Sequence, residues 1–116
     1  MYFKKIKLKP VKNKPMVLSE FGGYSCKIPD HAFNLDDTYG YRFFKDREQF
    51  ERALIALYEN EVMPMIDKGL CAAVLTQVSD VEDETNGMLT YDRQVLKVDP
   101  EKMKALSEAL CKRFYK

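Results

Sequence analysis

One carboxylate, Glu20, sits between an apolar run and two glycines in the stretch Lys14-Pro15-Met16-Val17-Leu18-Ser19-Glu20-Phe21-Gly22-Gly23. Met16, Val17 and Leu18, bounded by a proline and by glycines, have the pattern of a short strand buried on both faces. Glu20 then emerges at its C-terminal end, where α/β folds and TIM barrels place their chemistry, so it is a candidate catalytic acid. Phe21 is placed to cover the strand end, and Gly22 and Gly23 allow a sharp turn and a close ligand approach. The competing reading is plainer: a glutamate just past a strand is often a solvated loop residue or the partner of a nearby Arg or Lys.

The elements around this acid must form a folded piece of single-domain size, with 116 residues and a formal net charge of +1. No apolar run approaches the roughly 18 residues that cross a membrane, and the lysine-rich start lacks the apolar centre of a signal peptide, so no membrane partner and a cytoplasmic location are expected. Cys26, Cys71 and Cys111 are widely spaced and His31 is the single histidine, which points away from a disulfide framework, a zinc site or any metal cofactor. Cys71 is expected in the core. Near-neutral charge argues against nucleic acid as the main partner. The local exception, Lys4, Lys5, Lys7, Lys9, Lys12 and Lys14, reads as a solvated flank.

Up to Lys14, the residues Phe3, Ile6, Leu8 and Val11 alternate with lysines and are broken by Pro10 and Pro15, which predicts an extended approach to a strand over about 15–21. Tyr24 to Lys45 lacks periodicity and reads as a long loop, a feature that in compact domains is usually functional. Asp46 opens the clearest helix, over about 46–68, with Phe50, Leu54, Leu57, Tyr58, Val62 and Ile66 on one face and Pro64 set to kink or split it. Gly69 ends the helix, and Leu70 to Gln77 forms a second apolar strand. Strand, crossover helix and strand make a βαβ unit, expected to be parallel and right-handed. Val78 to Val98 is a second, acidic loop, and Asp99-Pro100-Glu101 starts a helix over about 100–115 whose buried face is Met103, Leu106, Leu110 and Phe114. In this α/β order, βαβα, both long loops follow strands, so Glu20 and the polar residues from Thr76 to Asn86 are expected to meet on one face.

These residues carry a family resemblance. Leu18-Ser19-Glu20-Phe21-Gly22-Gly23, the run from Thr76-Gln77-Val78-Ser79-Asp80 to Glu84-Thr85-Asn86-Gly87, and Leu89-Thr90-Tyr91-Asp92-Arg93 resemble the last quarter of the catalytic barrel of glycoside hydrolase family two, the β-galactosidase, β-glucuronidase and β-mannosidase group. The resemblance implies a βαβα fragment corresponding to the last two βα units of a (β/α)8 TIM barrel, with barrel strands seven and eight at Met16 and Leu70. It implies that Glu20 is the nucleophile of a retaining β-glycosidase acting on a carbohydrate. The family's second acid comes from strand four, and no segment here corresponds to it; Asn60-Glu61 has the right dipeptide but lies mid-helix. A full barrel takes about 250 residues, so the chain is expected to be a fragment, not a complete barrel, and inactive alone.

Better-known members often carry a tryptophan at the end of strand eight; this chain has none, and Leu75 or Thr76 stands near that place, so the sugar floor differs. Gln77, Asp80 and Asn86 are candidate ligands of sugar hydroxyls, with capping and loop satisfaction as the alternative. Tyr24 is a further candidate to line the site. Arg93 is expected to be structural, paired with Asp92 or Glu82. Open strand edges and uncovered apolar faces predict a homo-oligomer. The alternative function is a non-catalytic binding or assembly module on the same scaffold; a small complete enzyme pairing Glu20 with Asp80 or Glu82 is a third.

Overall fold

A computed structural model describes residues 9–40 and 42–116. Most of the expected extended approach, residues 1–8, lies outside them. The centre is a two-stranded parallel sheet of β1 (Met16–Gly22) and β4 (Leu70–Thr76), the strand pair expected from the sequence. Between them the chain adds a second, two-residue parallel pair, β2 (Tyr24–Ser25) with β3 (Arg42–Phe43), a 3-10 turn at Pro29–His31, and then the crossover helix. The expected long loop after β1 is therefore folded back onto itself.

α1 (Arg47–Leu57) starts where the Asp46 side chain accepts a hydrogen bond from the Gln49 amide, satisfying one of the free donors of the first turn. Pro64 has no N–H, and in a regular α-helix its ring would clash with the carbonyl of Asn60 four residues back. The helix answers by widening into a π turn, Tyr58–Val62, in which the Met63 amide donates to Tyr58, before closing as the short α2 (Met63–Ile66). Phe50, Leu54, Leu57 and Val62 are buried against Phe21, Tyr24, Cys26, Leu70 and Val98, and each fully buried large side chain contributes about 1.5–3 kcal/mol.

α3 (Pro100–Phe114) begins at Asp99, whose side chain accepts from the Glu101 amide. Only Leu106 of its predicted face is buried; Met103 and Leu110 are half-buried and Phe114 is exposed. Polar ties hold the helix instead. Glu51 on α1 accepts from the Asp99 amide at 2.5 Å and from Lys102 Nζ at 2.6 Å, and Arg113 grips Asp67 through two hydrogen bonds of 2.8 and 2.5 Å.

The strands are not buried on both faces as expected. Helix and loops cover one face only, while Val17 is 49% and Val74 54% exposed on the other. Two register shifts decide which residues face which way. Between the pairs Met16 with Leu70 and Val17 with Ala72, β4 carries one extra residue, Cys71; between Leu18 with Ala73 and Phe21 with Leu75, β1 carries one extra residue at Ser19 and Glu20. A bulge inverts the alternation of side chains beyond it. Cys71 follows the buried Leu70 and so faces the uncovered side, exposed, against the expectation of a core thiol. The second shift sends Phe21 into the core after Met16 and Leu18 and leaves Glu20 on the uncovered side.

Candidate functional site

Phe21 anchors the end of β1: it is buried and meets the Tyr58 ring edge-on, with centroids 5.1 Å apart. The chain then turns through Gly22 at φ 95° and Gly23 at φ 71°, in the left-handed region where a side chain is strained. At Gly22 a Cβ would also lie 2.7 Å from Leu75 Cδ1 and 3.1 Å from the Thr76 carbonyl oxygen. That closeness lets the two strand ends touch. Thr76 Oγ1 donates to Glu20 Oε1 at 3.1 Å, and the Gly23 amide donates to the Thr76 carbonyl at 3.1 Å. Glu20 Oε2 has no hydrogen-bond partner among the described residues, and Glu20 forms no salt bridge there.

The peptide between Thr76 and Gln77 is cis. Gln77 Nε2 donates to Asn86 Oδ1 at 2.6 Å and to Glu84 Oε2 at 3.0 Å, while the Gln77 amide donates to the Asn86 carbonyl at 3.2 Å. Glu20, Thr76, Gln77, Glu84 and Asn86 thus form one hydrogen-bonded and sequence-linked strip at the C-terminal ends of β1 and β4. Of these, Thr76 and Glu84 were not among the candidates read from the sequence. The signal for Thr76 is its place opposite Gly22 at the end of the parallel partner.

The structure puts Asp80 elsewhere. Its side chain is 2% exposed; Oδ1 accepts from Lys97 Nζ at 2.6 Å and from the Gly87 amide at 2.9 Å, and Lys97 Nζ also donates to the Thr85 carbonyl at 3.0 Å. Burial pushes the Asp80 carboxyl up and the Lys97 ammonium down, and their mutual attraction offsets only part of each shift. Asp80 is therefore committed to the loop, and neither it nor the exposed Glu82 joins the strip. Gly87 allows this packing, since a Cβ there would fall 2.1 Å from the Ser79 carbonyl carbon.

Tyr24 lies in the core rather than beside Glu20. It is 6% exposed, meets Phe44 at 5.5 Å, and burial raises its hydroxyl pKa while Arg42 opposes the rise. Arg93 bonds the Tyr91 carbonyl and lies over that ring at 6.0 Å, so its role is local and involves neither Asp92 nor Glu82. The two long loops do meet on one face, as expected. His31 Nδ1 lies 2.6 Å from Asp92 Oδ2, Thr38 Oγ1 lies 2.6 Å from Thr85 Oγ1, and Asn34 Nδ2 donates to Asp83 at 3.0 Å.

No family model and no curated protein matches the chain. Among the described residues, no three His, Cys, Asp or Glu side chains converge as metal ligands, and no helix is long and apolar enough to cross a membrane. Chemically, the strip offers one carboxylate held by a neutral hydroxyl donor and open to solvent, with amide and carboxylate groups beside it.

Proposed function

We propose that this chain is the nucleophile-bearing part of a retaining β-glycosidase barrel. The observation that carries the reading is the position of Glu20: it stands at the C-terminal end of a parallel strand, turned by a one-residue bulge to the face that the helices leave uncovered, and held by Thr76 from the adjacent strand end. In a (β/α)8 barrel the helices lie outside and that face lines the interior, with chemistry at the C-terminal end. Thr76 fixes Oε1 and leaves Oε2 to attack the anomeric carbon as the bond to the aglycone oxygen breaks. The product is a glycosyl ester, and the departing oxygen takes a proton from a second carboxylic acid about 5 Å away. Water then cleaves the ester with that second group as base. The second acid comes from outside these two βα units, so the isolated chain completes no turnover on ordinary glycosides.

A leaving group that departs without protonation removes the need for the missing acid. Incubation with 2,4-dinitrophenyl β-galactoside, β-glucuronide and β-mannoside should therefore give a protein adduct of one glycosyl unit with at least one sugar, mapped by peptide mass spectrometry to Glu20. Glu20→Gln should abolish it while changing stability by no more than about 0.5 kcal/mol, because the side chain is exposed. An adduct that survives Glu20→Gln, one mapped elsewhere, or none with any of the three sugars refutes the assignment.

The uncovered face of Val17 and Val74 and the open edges of β1 and β4 also favour association between copies. Light scattering should show a mass above that of a single 13.5 kDa chain; a monomer at high concentration refutes this part.

A further inference from the structure

On the helix side of the sheet, a cavity of about 450 Å³ opens between β2, β3 and α1, within the range of small-ligand sites. Among the described residues that line it, none belongs to β1 or β4, so it is separate from the Glu20 strip. We propose that this cavity binds a small monocarboxylate with a flat apolar ring, anchored by the guanidinium of Arg42. The proposal goes beyond the glycosidase reading and does not depend on it.

Three observations define the ligand. First, Arg42 is a cation on the cavity wall that bonds the Tyr24 hydroxyl but pairs with no carboxylate among the described residues. Its guanidinium lies 5.0 Å from the Phe44 ring centroid and 5.7 Å from that of Tyr24. The two rings hold the guanidinium by cation–π attraction, and its planar fork matches a carboxylate through two parallel hydrogen bonds. Second, α1 presents a flat floor. Gln49, Ala53 and Ala56 follow one another at helical spacing along the cavity wall, and Asn60 in the π turn continues it, with the two alanines in the middle. Methyl side chains leave a shallow apolar hollow that a ring can fill, flanked by amides at both ends. Third, the charges on the wall disfavour a ligand with more than one negative charge. The other guanidinium on the wall, Arg52, is engaged by Glu48 at 2.6 Å, and the Glu61 carboxylate on the rim opposes a second negative charge. A phosphate dianion is therefore disfavoured relative to a monocarboxylate.

The test is a titration of the full chain with sodium benzoate, followed by backbone amide NMR shifts, with benzamide as the neutral isostere and inorganic phosphate as the multivalent anion. Benzoate should shift Arg42, Phe44, Ala53 and Ala56 saturably, and benzamide should bind about tenfold or more weakly, since it lacks the charge-assisted pair. Arg42→Gln should weaken benzoate about tenfold or more and leave benzamide unchanged; Arg42 is exposed, so the fold should persist, as unshifted core amides will report. Ala56→Leu, which fills the hollow, should weaken both ligands. Equal affinity for benzoate and benzamide, phosphate binding as tight as benzoate, shifts centred elsewhere, or no saturable binding overturns the proposal.

Discussion

Replacing Lys97 by methionine should unfold the loop that carries Gln77 and Asn86 before it touches anything else. The Lys97 side chain is 0% and the Asp80 side chain 2% exposed, and the ammonium makes two hydrogen bonds, to Asp80 Oδ1 at 2.6 Å and to the Thr85 carbonyl at 3.0 Å. Methionine keeps the length of the side chain and its contact with the Phe50 ring but strands a buried carboxylate that retains only the Gly87 amide. Breaking a buried pair by removing one partner costs about 3–5 kcal/mol. At about 3–6 °C per kcal/mol for a chain of this size, the midpoint of thermal unfolding should fall by roughly 10–30 °C.

The pH dependence gives a second signature. Burial already raises the Asp80 carboxyl pKa, and loss of Lys97 raises it further. A raised carboxyl pKa means that the folded state binds the proton more tightly than the unfolded state, so the deficit of the variant must shrink as pH falls through that raised value. Adding Asp80→Asn removes the stranded charge, and the double variant should be more stable than Lys97→Met alone. Urea denaturation of wild type, both single variants and the double variant at pH 7 and pH 5 measures all of this. A cost under about 1 kcal/mol for Lys97→Met, or additive single costs, refutes the claim that the pair is coupled and desolvated.

Two further outcomes follow from the same loop. Gly87→Ala forces a Cβ to within 2.1 Å of the Ser79 backbone, so it should destabilise by about 1–3 kcal/mol, as overpacking does, and scatter the amide resonances of residues 78–90; a neutral outcome by urea denaturation would contradict the packing. Hydrogen bonds from Thr90 and then His31 hold the Asp92 carboxyl down to about 2 from an ordinary 3.8. A lowered pKa contributes stability above the ordinary value and loses it as pH falls through the lowered one. The contact between His31 and Asp92 should therefore persist at pH 5 and open between about pH 4 and pH 2, with the Asp92 carboxyl carbon shift as the readout; a midpoint near 4 would show that these hydrogen bonds do not form.

Local chemistry made much of the fold legible. Asp46 and Asp99 cap the helices as read, because an N-cap needs only a short acceptor and the next few amides. Pro64 breaks the helix where its missing N–H requires, and the apolar runs at Met16 and Leu70 pair in parallel because a helix separates them. The candidate site was legible only where strand ends define it: Glu20 and the Thr76 to Asn86 segment meet, while Asp80 and Tyr24 turn inward.

The sequence by itself determined where the elements lie, since periodicity, caps and breakers act over a few residues. Tertiary structure alone decided which way their side chains face. A one-residue bulge leaves no mark in the pattern, yet it inverts the side chains beyond it, setting Phe21 inward and Glu20 outward. Nor can local pattern find a partner 17 residues away: Asp80 became a buried anchor because Lys97 reaches it there, where desolvation makes an unpaired charge intolerable.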